Sequence, residues 1–134
     1  MDINVYCPSY ARVVKERGVP NFQDWYENYF LGKCTMNGKY VGIGENGDVK
    51  PCGFNEHLKL GNIMEKSLKE FWSELQSAEF HAKFNDRSNL KGKCSVCEYG
   101  NICRGCRTRS EVYTGDIFQS DPACAYIPKA FQKT

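Results

Sequence analysis

The chain has 134 residues, a formal net charge of only +2 and eight cysteines. That charge names neither nucleic acid nor a membrane surface as a partner, and no stretch approaches the run of about 18 apolar residues that a membrane helix requires. Leu, Ile, Val and Phe together make up about a fifth of the chain, near the lower limit for folding on aliphatic burial alone.

Eight Phe, eight Tyr and two Trp enlarge the core, since each ring buries a large area. The cysteines are the obvious additional staple. The opening Met-Asp-Ile-Asn-Val lacks a basic region followed by an apolar stretch, so the expected compartment is the cytoplasm, where thiols stay reduced and cysteine clusters serve metals or redox chemistry.

In chain order, residues 1–7 read as a short strand stopped by Pro8, and Ser9 to Arg17 as a helix capped by Gly18. Asn21, the early Asp24 and Gly32 bracket a second helix. Its stripe of Phe22, Trp25, Tyr26, Tyr29 and Phe30 is expected to pack in the core. Lys39 to Ile43 and Val49 to Cys52 are β-prone runs around an Asn46-Gly47-Asp48 turn, which predicts a hairpin. Ser67 and Glu70 form a capping box that opens a helix through Phe71, Trp72 and Leu75. A further helix runs from Ser77 towards Phe84, and a last one from Gly105 to Tyr113, stopped near Gly115. The expected fold is α+β: a small antiparallel hairpin, several short helices and long cysteine-bearing loops.

The densest chemistry is Cys94-Ser-Val-Cys97-Glu-Tyr-Gly-Asn-Ile-Cys103-Arg-Gly-Cys106, two C-x2-C loops separated by five residues. Such a loop lets two thiolates face one metal centre while peptide N–H groups of the turn donate to sulfur. Three chemistries compete. Tetrathiolate zinc is one, although zinc ribbons usually part their pairs by about 15–20 residues. A disulfide framework is the second, and the expected compartment disfavours it. Iron–sulfur is the third. In bacterial ferredoxins the last cysteine of a dense run serves a different cluster, and interleaving of that kind would account for the distant Cys34, Cys52 and Cys124. The favoured reading is one or two 4Fe–4S clusters, with a structural zinc module for protein contacts as the alternative.

Cys34, then Gly47-Asp-Val-Lys-Pro-Cys52, the central run and Asp121-Pro-Ala-Cys124 resemble the seven-cysteine pattern of SPASM domains. These are the auxiliary-cluster domains of many radical S-adenosylmethionine enzymes. Gly61-Asn62-Ile63, Gly105-Cys-Arg-Thr-Arg109 and Thr114-Gly-Asp116 are similar as well, and the resemblance runs from about Cys7 to Pro128. It implies that Cys34, Cys52 and Cys106 ligate a first cluster, with Cys7 as a candidate fourth ligand, and that Cys94, Cys97, Cys103 and Cys124 ligate a second. It also favours Arg107 and Arg109 as cluster-side residues, out of a basic group that includes Lys91, Lys93 and Arg104. The nearest likeness is to members that modify haems or tungsten cofactors or mature peptides.

No C-x3-C-x2-C triad is present, so the chain is not expected to cleave S-adenosylmethionine alone, and no catalytic residue is assigned. Residues 1–32 read as a helical lead-in from a catalytic domain, 33–128 as the auxiliary cluster domain and 129–134 as a tail. The implied partners are a radical S-adenosylmethionine catalytic domain, in cis or in trans, and an electron-donor protein. The expected function is electron relay and substrate organisation. His57 and His81 lie outside ligand spacing with any cysteine pair and are read as surface or structural residues.

Overall fold

A computed structural model describes residues 5–28, 34, 36 and 38–132. The expected strand over 1–7 falls largely outside them, as do Tyr29, Phe30 and Gly32. The architecture is α+β, with six α-helices and a three-stranded antiparallel sheet among the described residues. The chain forms two compact units, residues 35–86 in one and residues 1–34 with 87–134 in the other.

The unit of residues 35–86 carries the sheet, β1 (Gly42–Ile43), β2 (Asp48–Lys50) and β3 (Gly61–Asn62), in the order β1-β2-β3. Gly42 faces Lys50 and Ile43 faces Val49, so the predicted hairpin is present with shorter strands. Gly47 sits at φ +84°, a left-handed position that glycine takes without penalty. Asn46 Nδ2 holds the Asp48 carboxylate at 2.8 Å. The third strand was not foreseen from the sequence, because Gly and Asn are poor strand formers. Tertiary contacts create it: Asn62 Nδ2 donates to the Asn46 carbonyl at 2.9 Å, and a Cβ on Gly61 would lie 3.0 Å from the Phe71 ring. Only a bare glycine lets that ring approach the strand.

Helices α3 (Leu68–Leu75) and α4 (Ala78–Asn85) follow. Phe71 and Leu75, one helical turn apart, are fully buried, and β2 contributes the fully buried Val49. The capping box forms as expected: Ser67 Oγ accepts the Glu70 N–H while Glu70 accepts the Ser67 N–H at 2.8 Å. Ser67→Ala is expected to destabilise this unit by about 1 kcal/mol, read as a lower urea midpoint with an unchanged slope. Ser77 caps α4 by accepting the Phe80 N–H at 3.1 Å. His81 pairs with Asn85 at 2.6 Å and meets Phe80 edge-on, a packing role, and His57 is exposed.

The other unit begins with α1 (Pro8–Glu16) and α2 (Phe22–Asn28). α1 buries Pro8, Ala11 and Val14. The core role expected for the aromatic stripe of α2 is not met by its described members, since no residue of α2 is buried and Trp25 is 46% exposed. Phe22 stacks on Tyr26 instead, and the Tyr26 hydroxyl donates to the Ile102 carbonyl. Helical periodicity records which residues share a face and says nothing of whether that face is covered. Asn21 departs as well: it takes φ +57°, a left-handed conformation that Asn tolerates.

Beyond residue 86 this unit has a 3-10 turn (Arg87–Asn89), α5 (Gly92–Ser95), α6 (Arg107–Thr114) and a final 3-10 turn (Lys129–Phe131). α6 ends on Gly115 at φ +72°, and Asp116 then ties the following turn by accepting the Phe118 N–H and pairing with Lys91.

Candidate metal centre

Four cysteines from three stretches of chain line one cavity: Cys94 on α5, Cys97 just beyond it, Cys103 at the second C-x2-C loop, and Cys124 from the segment after α6. Among the described residues no three His, Cys, Asp or Glu side chains converge closely enough to hold a single ion. A set of four cysteine sulfurs around one cavity suits thiolate-ligated iron or zinc alike.

The loops supply the N–H donors anticipated from the C-x2-C pattern. The Tyr99 peptide N–H points at the Cys97 sulfur and that of Gly105 at the Cys103 sulfur. Burial nevertheless dominates at both thiols. It raises Cys97, and it pushes Cys103 up to about 11, helped by the neighbouring charges of Cys124, Cys94 and Cys97. Deprotonated together, these sulfurs would repel one another, and bound iron would supply the compensating positive charge. Metal loading and proton release are then the same event.

Several residues fix this geometry. Arg87 donates to the carbonyls of Ser95 and Cys97, the latter at 2.6 Å, and holds the first loop from outside. Lys93 Nζ donates to the Cys124 carbonyl, and the Cys94 N–H donates to Ser120 Oγ. Gly105 stands at φ +69°, where a Cβ would come within 2.7 Å of both Arg107 and Asp121 and 3.3 Å of the Cys94 sulfur. Asp121 is fully buried. It accepts from the Cys106 N–H at 2.8 Å, from the Ala123 N–H at 3.1 Å and from Arg109 through both carboxylate oxygens, at 3.0 and 2.6 Å. Burial alone would raise its pKa, but these donors outweigh it and hold the carboxyl below its ordinary range.

The last cysteine of the run parts company with the other three. Cys106 caps α6 and is absent from the cavity lining. Its charge acts on Arg109, which also donates to the Cys7 sulfur. Burial would raise the Cys7 thiol, but hydrogen bonds from Ser9, whose Oγ is 3.0 Å away, and the Arg109 charge bring it below its ordinary value. Arg109 thus interacts with both cysteines, through a hydrogen bond at Cys7 and through charge at Cys106. Cys34 is half-buried in this unit, whereas the buried Cys52 belongs to the unit of residues 35–86.

Arg107 faces inward on the protein itself: its guanidinium donates to the carbonyls of Ile117, Gln119 and Arg104. Sequence reasoning missed Arg12, Ser9 and Tyr126, which line the cavity, and the anchoring roles of Arg87 and Asp121. Asp121 had a signal, its place in the Asp-Pro-Ala-Cys word. The others lack one, because their positions depend on how distant segments pack.

The family profile described as "SPASM: Iron-sulfur cluster-binding domain" matches residues 34–107, more than half of the chain. The chain belongs to the SPASM family. An iron–sulfur centre accordingly takes precedence over the zinc alternative. The match includes six of the cysteines; Cys124 joins through the cavity it shares with three of them. The SPASM chain is 44% identical over 128 residues to an "AdoMet-dependent heme synthase" of Methanosarcina barkeri, covering 91% of this chain and 35% of that protein. A protein of the same name from Oleidesulfovibrio alaskensis is 31% identical over 135 residues, 96% of this chain and 34% of the relative. A "PqqA peptide cyclase" of Granulibacter bethesdensis is 30% identical over 103 residues, 72% and 27%. The SPASM chain spans between about a quarter and a third of the length of these relatives. Among the described residues no helix is long and apolar enough to cross a membrane.

Proposed function

We propose that Cys94, Cys97, Cys103 and Cys124 hold one 4Fe–4S cluster and that a second is held by Cys34, Cys52 and Cys106 with Cys7 as fourth ligand. The observation that carries the first assignment is the single cavity shared by cysteines up to 30 positions apart in sequence. The second assignment rests on the family resemblance, with the Arg109 hydrogen bond to the Cys7 sulfur and the electrostatic interaction of Arg109 with Cys106 beside it. The role we assign is that of an auxiliary domain to a radical S-adenosylmethionine catalytic domain, relaying electrons and helping to organise the substrate of a cofactor- or peptide-modifying reaction. The names of relatives that match 91% and 96% of this chain favour a haem-type substrate over a peptide.

When bound, such clusters supply one-electron redox capacity at the substrate side of the reaction. The polypeptide contributes thiolate ligands, N–H donors at Tyr99 and Gly105, and a partly buried setting. The deciding experiment is anaerobic reconstitution with iron and sulfide, followed by metal analysis and visible absorption. About eight irons per chain are expected, falling to about four in Cys97→Ala. A colourless chain binding stoichiometric zinc, or fewer than about three irons, would sink the reading.

A further inference from the structure

Arg12 stands apart from the basic residues that the cysteine run suggests. It lies on α1, outside the matched residues 34–107, yet it lines the cavity of the four cysteines. Its guanidinium sits 4.8 Å from the centre of the Tyr126 ring, another lining residue. One Nη pairs with Glu16 a turn further along α1. The Nε is buried without an acceptor, a state that among the described side-chain nitrogens and oxygens only Nε of Arg107 shares.

Leaving a buried donor unpaired costs about 1–3 kcal/mol, and more when the group is charged. A donor in that condition on a cavity wall points to an acceptor that the cavity receives. Arg107 offers no such case, because its other nitrogens are taken by three carbonyls and it is absent from the lining. Lys93 is the second cation on the wall, but its ammonium is engaged by the Cys124 carbonyl, so it holds the loop.

We propose that Arg12 is the hydrogen-bond donor and tuning cation of the cluster held by Cys94, Cys97, Cys103 and Cys124: its Nε–H donates to the sulfur face, and its charge raises the reduction potential. This rests on the four-cysteine assignment above. A thiolate-ligated cluster gains negative charge on reduction, and a cation behind a poorly polarisable wall stabilises the reduced form more than the oxidised one. Donors to sulfur act in the same direction. Glu16 offsets part of the charge from an exposed position, its side chain being 45% accessible against 14% for Arg12.

The test is an anaerobic redox titration of the loaded 134-residue chain followed by electron paramagnetic resonance, reading the signal that Cys97→Ala removes. Arg12→Met is expected to keep its iron, shift that potential negative and change the shape of the signal. Arg12→Lys retains the charge and brings the potential back towards the parent value. Glu16→Gln is expected to shift it positive, and it decides the question should Arg12→Met fail to load. Unchanged potentials in Arg12→Met and Glu16→Gln at full iron overturn the role of Arg12 while leaving the cluster in place. If Cys97→Ala removes no signal, the four-cysteine assignment falls.

Discussion

Stripping iron from the chain under anaerobic conditions is expected to unfold the part of it around the cysteine run while leaving the sheet and α3–α4 folded. The physical reason is where apolar bulk is buried. Among the described residues, Phe71, Met36, Leu75 and Val49 are the largest fully buried apolar side chains, and all four belong to the unit of residues 35–86. The fully buried side chains of the other unit include Asp121, Ser110 and Pro128, and the long Arg107 side chain is almost entirely enclosed as well. Those polar groups are matched by hydrogen bonds, but matching recovers little net stability beyond the cost of ordering the chain. A ligated cluster at the cavity would cross-link Cys94, Cys97, Cys103 and Cys124 and take the place of an apolar centre, as structural metals do in small domains.

Hydrogen exchange on loaded and chelated protein checks this. The paired amides of Cys103, Gly100 and Cys106 should lose protection when iron is removed, and those of Leu60 and Phe71 should keep it. Retained protection in the cysteine run, or loss in both units together, would show that the cluster is not the fold's centre in that unit.

Asp121→Ala is expected to cost on the order of 3 kcal/mol in the loaded chain. The change removes a fully buried carboxylate and orphans the N–H groups of Cys106 and Ala123, each worth about 1–3 kcal/mol when left unsatisfied. It also strips Arg109 of its two-pronged partner. Arg109 is partly exposed and water compensates part of that loss, so the buried amides dominate. Because Arg109 also donates to the Cys7 sulfur, loading of the proposed second cluster should weaken too.

The pH dependence has a definite sign. The folded pKa of Asp121 lies below its ordinary value, so its contribution is fully present above about pH 3.9 and is lost as pH falls through the depressed folded value. Denaturant titrations of both proteins at neutral pH check the prediction, and a difference within about 0.5 kcal/mol would refute it.

Local chemistry was legible wherever short-range geometry decides. The Ser67–Glu70 box, the Asn46-Gly47 turn, the Gly18 and Gly115 stops and the N–H donors of the C-x2-C loops all appear as the residues imply, because each rests on backbone preferences spanning four or five positions. The family words also find physical content. Gly61 admits the Phe71 ring, Gly105 passes between Arg107, Asp121 and Cys94, and Asp116 ties the turn after α6. The stripe of α2 was misjudged, since a run of aromatic residues at helical spacing cannot report what, if anything, lies against it.

By itself the sequence determined that thiolate chemistry dominates this protein, that its elements are short, and which cysteines form the dense run. Only the tertiary structure decided that Cys94, Cys97, Cys103 and Cys124, which the family resemblance groups, line one cavity without Cys106, and that Arg12 from the first helix reaches the same cavity. Ligand spacing constrains sulfurs a few residues apart through the reach of the backbone. Meetings between residues dozens of positions apart depend on how loops close and what they bury, and no local pattern encodes that.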